Sequence, residues 1–156
     1  MTVKDLALKD QVYQLVCFKL ADEEYAVKIT DIQEVVRIQG ITFIPQVPDF
    51  TLGVVNLRGN VIPVLDLRKK LHLEERPFDD KTKIMVARVE GVVFGMVIDE
   101  ILENIKLEGS QIDPAPAVKM KIERECVLGL GELDGRMIII LDLAKIHEGV
   151  RKEIGY

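Results

Sequence analysis

The chain is written twice, and that repeat limits the folds open to it. Residues 53–67, GVVNLRGNVIPVLDL, align without gaps with residues 129–143, GLGELDGRMIIILDL, at an offset of 76. Seven of the fifteen pairs are identical: Gly53/Gly129, Leu57/Leu133, Gly59/Gly135, Ile62/Ile138, Leu65/Leu141, Asp66/Asp142 and Leu67/Leu143. Upstream, Tyr25 to Ile32 aligns with Phe94 to Ile101 at an offset of 69, so the second copy holds about seven extra residues between its blocks. The insertion is expected between Gly109 and Lys121, where Asp113-Pro114-Ala115-Pro116 cannot continue a helix or a central strand.

Both copies have the same local pattern. A β-branched strand (Gln14 to Leu20; Lys83 to Val89) turns at Ala21-Asp22-Glu23 or Glu90-Gly91 and returns as a second strand (Tyr25 to Ile29; Val92 to Ile98). Apolar residues then recur at helical spacing, Ile29, Ile32 and Val36 in one copy and Ile98, Ile101, Leu102 and Ile105 in the other, which predicts a short helix. A hairpin follows, Gly53 to Leu57 with Val61 to Leu65, whose counterpart turns at Asp134-Gly135, a dipeptide suited to positive φ. Asp66 and Asp142 are placed to N-cap short helices over Leu67 to Leu71 and Leu143 to His147.

The predicted class is therefore all-β with short helices. Each half has about 65–70 residues and would bury only about 60% of its unfolded surface, too little to stand comfortably alone. Two small barrel lobes sharing one hydrophobic core answer this, near residues 12–80 and 81–147, with strands open to exchange between them. Residues 1–156 form a single domain on this view, with 1–10 and 148–156 as flexible tails.

Composition removes several functions. The net charge is −5, without the clustered cations that phosphate binding requires, so no nucleic acid is expected. Arg68-Lys69-Lys70, followed by Glu74-Glu75, reads as a solvated helix face. No apolar run reaches the roughly 18–20 residues of a membrane helix, and Met1 to Asp10 has no secretory hydrophobic segment; a cytoplasmic location is expected, without membrane insertion. Cys17 and Cys126 lie in apolar runs without CxxC spacing and read as buried thiols.

Catalytic patterns are missing from the sequence. The single serine, Ser110, precedes a proline-rich loop and suits an N-cap. His72 and His147 fall near the ends of the two short helices, where a capping or solvated role is expected, and neither has a metal-ligand neighbour at i+3 or i+4. Gly129-Leu130-Gly131-Glu132-Leu133-Asp134-Gly135 precedes a strand, not a helix, so it is a hairpin and no dinucleotide loop. No enzyme, metal or cofactor is implied. Binding remains.

Divergence between the copies locates candidate contacts. Leu57 and Gly59 are shared, but Asn56 and Arg58 become Glu132 and Asp134, reversing the charge of the turn. An exposed Arg on a rigid turn suits bidentate contact with a partner's carboxylate, or stacking. Ile32 and its copy Ile101 either line a groove for an amphipathic partner helix or belong to the shared core.

The series Ile32-Gln33-Glu34-Val35, then Phe50 to Leu67, then Gly95-Met96-Val97-Ile98-Asp99 and Gln111 to Pro116, resembles the CheW family over residues 12–147. That resemblance implies two SH3-like five-stranded barrels and a coupling role. The implied partners are the cytoplasmic tip of a methyl-accepting chemoreceptor and the regulatory domain of the histidine kinase CheA, in membrane-bound receptor arrays. It also implies Glu34 and Arg58 as polar contacts, and Ile29, Ile32, Val35 and Ile101 as groove residues for the receptor helix. The alternative is an adaptor of the same kind serving a non-chemotaxis pathway such as surface motility.

Overall fold

Each half folds as nearly the same series of elements, with one short extra strand in the second. The computed structural model describes residues 11–43, 50–114, 116 and 122–154, with side chains described as far as 148. The first copy supplies β1 (Val12–Leu20), β2 (Glu23–Lys28), β3 (Ile32–Arg37), β4 (Thr51–Leu57), β5 (Asn60–Asp66) and helix α1 (Leu67–Lys70). The second supplies β6 (Lys83–Val89), β7 (Val92–Ile98), β8 (Glu100–Glu108), β9 (Ile112–Asp113), β10 (Val127–Leu133), β11 (Arg136–Leu141) and helix α2 (Leu143–Ile154). Residues 1–10 and 155–156, parts of the expected tails, lie outside the described residues.

The sheets cut across the sequence halves. One has the order β8-β1-β2-β11-β10-β9, the other β3-β6-β7-β5-β4. Each copy thus donates its first hairpin to the lobe built by the other, and the parallel pairs β2–β11 and β5–β7 join the two contributions. The core explains why. Among the described residues, twenty-one buried side chains, including Phe18 and Tyr25 from one sheet and Phe94 and Met96 from the other, form one cluster spanning both. Clusters of seven and six fill the separate lobes. Most of the burial thus lies in the shared layer, and the hydrophobic free energy resides there.

The hairpins obey turn chemistry. Ala21-Asp22, Arg58-Gly59, Glu90-Gly91 and Asp134-Gly135 all have positive φ at both residues, as two-residue type I′ turns require. Asp66 caps α1 by accepting from the Arg68 and Lys69 N–H groups, and Asp142 accepts from Ala144 N–H. Helix α2 continues through Ile154, seven residues past the expected stop at His147.

The predicted helices after β2 and β7 are strands. A single 3₁₀ turn, Ile29–Asp31, precedes β3, and β8 starts directly after Asp99. Bulges decide which of these residues share a face, and in the first copy they split the predicted stripe, with Ile32 on the shared core and Val36 on a lobe core. In β3 an extra residue sits between Ile32 and Glu34 against β6, so Ile32 and Val35 face the same side despite being three apart. In β8 the shift between the Val16 and Phe18 pairings leaves Ile101 on the shared core and puts Leu102 and Ile105 together on the lobe core. Strands with one bulge imitate an i, i+3 pattern.

Two histidine and serine expectations also change. Ser110 lies inside a 3₁₀ turn, Gly109–Gln111, whose N-cap is Glu108. His72 is exposed beside Glu123 (3.1 Å), but His147 is fully buried and stacked on Phe94. The repeat puts His147 where the first copy has Leu71, also buried. Neither imidazole nitrogen has a hydrogen-bond partner among the described residues; the Glu90 carboxylate stands 3.6 Å from Nδ1. Unsatisfied buried polar atoms cost stability. His147→Leu, the chain's own solution in the other copy, is expected to stabilise by about 1–2 kcal/mol. A lower melting temperature in calorimetry would show that the ring is bonded after all.

Candidate partner-binding surfaces

The seven residues singled out from sequence divide onto two faces, and β3 carries members of both. Glu34 pairs opposite Val86, on the face of the lobe core; Ile32 and Val35 pair opposite Ala87 and Met85, on the face of the shared core.

On the first face the structure brings Glu34, Asn56 and Arg58 together. Arg58 occupies the first turn position at φ 51°, and its Nη1 and Nη2 donate to the two Glu34 carboxylate oxygens at 2.5 and 2.7 Å. The Arg58 side chain is 72% exposed and that of Glu34 only 20%. Hydrogen bonding to Arg58 holds the Glu34 carboxyl below its ordinary value, and the same bond raises the guanidinium. The Asn56 Oδ1 accepts the Gly59 N–H at 3.0 Å, so the turn itself explains Asn56. The fork of Arg58 is therefore already engaged, and what the turn presents is an oriented guanidinium plane. Beside it lies an open concavity of about 440 Å³ lined by Arg88, Val93 and the exposed Val61.

On the second face Ile29, Ile32, Val35 and Ile101 are half-buried against the shared core. They are rim residues, with part of each side chain still accessible. Ile101 stands on β8 and Ile32 on β3, each an edge strand of its sheet. The apolar and polar candidates thus form two separate surfaces.

One buried ion pair was not expected from the sequence. Arg68, expected on a solvated helix face, is buried, and its Nε donates to Asp99 Oδ1 at 2.9 Å while Nη2 donates to Oδ2. Burial alone would raise the Asp99 carboxyl, but the bonds from Arg68 and the Ala21 N–H outweigh it and hold it low. The repeat carried a signal for this pair: Arg68 aligns with Ala144 and Asp99 with Thr30. On the opposite lobe Arg136 bridges Glu24 of β2 and Glu103 of β8, tying three strands of one sheet. Cys17 and Cys126 are free and buried, with burial foremost in pushing the Cys17 thiol to about 11. Among the described residues, no group of three His, Cys, Asp or Glu could hold a metal, and no helix is long and apolar enough to cross a membrane.

The model of the CheW-like domain matches residues 14–150. The chain belongs to the CheW-like domain family. A chemotaxis protein CheW from Klebsiella aerogenes is 35% identical over 145 residues, covering 93% of this chain and 87% of the relative. Another from Helicobacter pylori is also 35% identical, over 88% of this chain and 82% of its own. In three dimensions the chain is similar to the scaffolding protein TtCheW from Thermoanaerobacter tengcongensis. That comparison has a TM-score of 0.79 and 36% identity, and covers 85% of this chain and 90% of that one. The two β-barrel lobes are those of the CheW-like fold.

Proposed function

We propose that this chain is a chemotaxis coupling adaptor, holding the cytoplasmic tip of a methyl-accepting chemoreceptor and the regulatory domain of the histidine kinase CheA so that the receptor controls the kinase. It acts by holding partners, without chemistry of its own, in the cytoplasm at membrane-bound arrays. The observation that carries this reading is the Glu34–Arg58 pair displayed on a rigid turn, in a chain related to chemotaxis proteins named CheW. Hydrogen-bonded Arg on preorganised backbone is a frequent interface anchor, since little side-chain entropy remains to be lost on binding. The half-buried Ile29, Ile32, Val35 and Ile101 form the apolar side, suited to the stripe of a receptor helix. The acidic balance of the chain agrees with protein partners and against nucleic acid.

Calorimetric titration with a purified receptor-tip coiled coil and with the kinase regulatory domain tests this. Arg58→Ala is expected to weaken one of the two interactions about tenfold, with circular dichroism and melting unchanged because Leu57, Gly59 and the Asn56 cap keep the turn. Ile32→Arg should abolish capture of the receptor tip. Wild-type affinity for both partners in both variants would refute the assignment. If Ile32→Arg instead melts far below the wild type, Ile32 belongs to the core.

A further inference from the structure

The two crossovers between the sheets are built differently. The chain leaves the six-stranded sheet through Ile29–Asp31 and returns through Asp99, the one residue between β7 and β8. The repeat sets Thr30 against Asp99 and Ala144 against Arg68, so the first crossover lacks the counterpart of the Arg68–Asp99 pair. At the second, the Arg68 fork meets the Asp99 carboxylate. The same carboxylate accepts the Ala21 N–H at 2.9 Å and has Arg76 Nη1 at 3.8 Å. The Asp99 N–H donates to the Lys19 carbonyl at 3.1 Å, and Arg68 Nη1 donates to the Glu74 carbonyl at 2.6 Å. The β1–β2 turn, α1, the loop after it and the passage from β7 to β8 therefore converge on one carboxylate, whose side chain is only 15% exposed.

A buried pair of this kind seldom exceeds well-packed apolar residues in net stabilisation. What the planar fork adds is a single orientation, because guanidinium and carboxylate engage in one plane. Ile101 follows two residues after Asp99 and pairs with Phe18 of β1. Its place at the seam is thus set by the residue that the ion pair holds. Ile29 and Ile32 flank the crossover that has no such pair.

We infer that Asp99 and Arg68 are positioning residues for partner binding, which fix the side of the seam carrying Ile101 and leave the side carrying Ile29 and Ile32 to adjust. This rests on the seam being the receptor-helix surface proposed above, and specifies how that surface is prepared.

Two measurements on the full chain test it. Without any partner, Asp99→Asn should speed amide hydrogen exchange at Glu100–Leu102 about tenfold, leaving Ile29–Ile32 unchanged. With the receptor-tip coiled coil as probe, the same variant should bind about tenfold more weakly, as expected when the competent arrangement is populated a tenth of the time. Ile101→Ala should then weaken binding in the wild type but add little in the Asp99→Asn background, whereas Ile32→Ala should keep its full effect in both. A merely structural role would scale both isoleucines alike. Arg68→Lys, which keeps the cation and loses the fork, should repeat the pattern at smaller size, and serves if Asp99→Asn does not fold. Equal acceleration of exchange at both crossovers overturns the inference. So does wild-type affinity in a variant whose Glu100–Leu102 exchange is fast. If the wild type itself does not bind the probe, the functional reading fails, and the exchange pattern still decides whether Asp99 pins that crossover.

Discussion

Arg68→Met lowers the unfolding free energy by about 3 kcal/mol and the melting temperature by roughly 6–12 °C. The methionine fills much of the space, but Asp99 stays buried with the Ala21 N–H and a more distant Arg76 as its remaining partners. Removing one member of a buried pair leaves the other charge uncompensated, which is the costly case. The pH dependence separates this from lost packing. The Asp99 carboxyl titrates below its ordinary value in the native protein. Its contribution is therefore present above the unfolded carboxylate value of about 3.9 and is lost as pH falls through the lower native value. The wild-type advantage over Arg68→Met should be full at pH 7 and narrow steadily below about pH 4. Denaturant unfolding at several pH values measures it; an advantage constant down to about pH 2 would assign the loss to packing.

Gly53→Ala is the second large effect, with an expected cost of about 3 kcal/mol. Gly53 follows the bulge of β4, and a Cβ there would stand 2.1 Å from the Thr42 carbonyl oxygen and 2.8 Å from its carbon. Both are backbone atoms, held by the Thr42–Val54 hydrogen bonds of 2.8 and 2.9 Å, so relief requires breaking that bridge. The repeat supplies a control. At Gly129 the tightest contact of a Cβ is 2.6 Å to Ile112 Cγ2, a side-chain methyl, with the Asp113 carbonyl oxygen at 2.9 Å. A side chain yields more readily than backbone, so Gly129→Ala should cost about half as much. Urea midpoints of the two variants test the order. Gly129→Ala proving the more damaging would refute the steric account.

The two faces of β3 show why the site was only partly legible. Glu34 and Arg58 were each visible as candidates, but their mutual bond spans 24 positions of sequence and depends on β3 and the β4–β5 turn meeting at one lobe. Asn56, which diverges from Glu132, looked functional for the same reason as Arg58, yet its own turn accounts for it. Ile29, Ile32 and Val36 suggested a helix because their spacing was right, but β3 is a strand whose bulge puts Ile32 on the shared core and Val36 on a lobe core. Arg68 looked solvated because it neighbours two lysines, and only its partner 31 positions away explains its burial.

By itself the sequence determined the duplication, read by comparing distant segments, and the hairpins, their turns and the Asp caps, which depend on residues within a few positions of one another. The tertiary structure alone decided which lobe each first hairpin joins, where the bulges turn β3 and β8, and which charges meet across the seam. Those choices are made by burial of one apolar layer common to both copies. Neither half has enough core to make them alone, and that layer exists only once both copies are folded together.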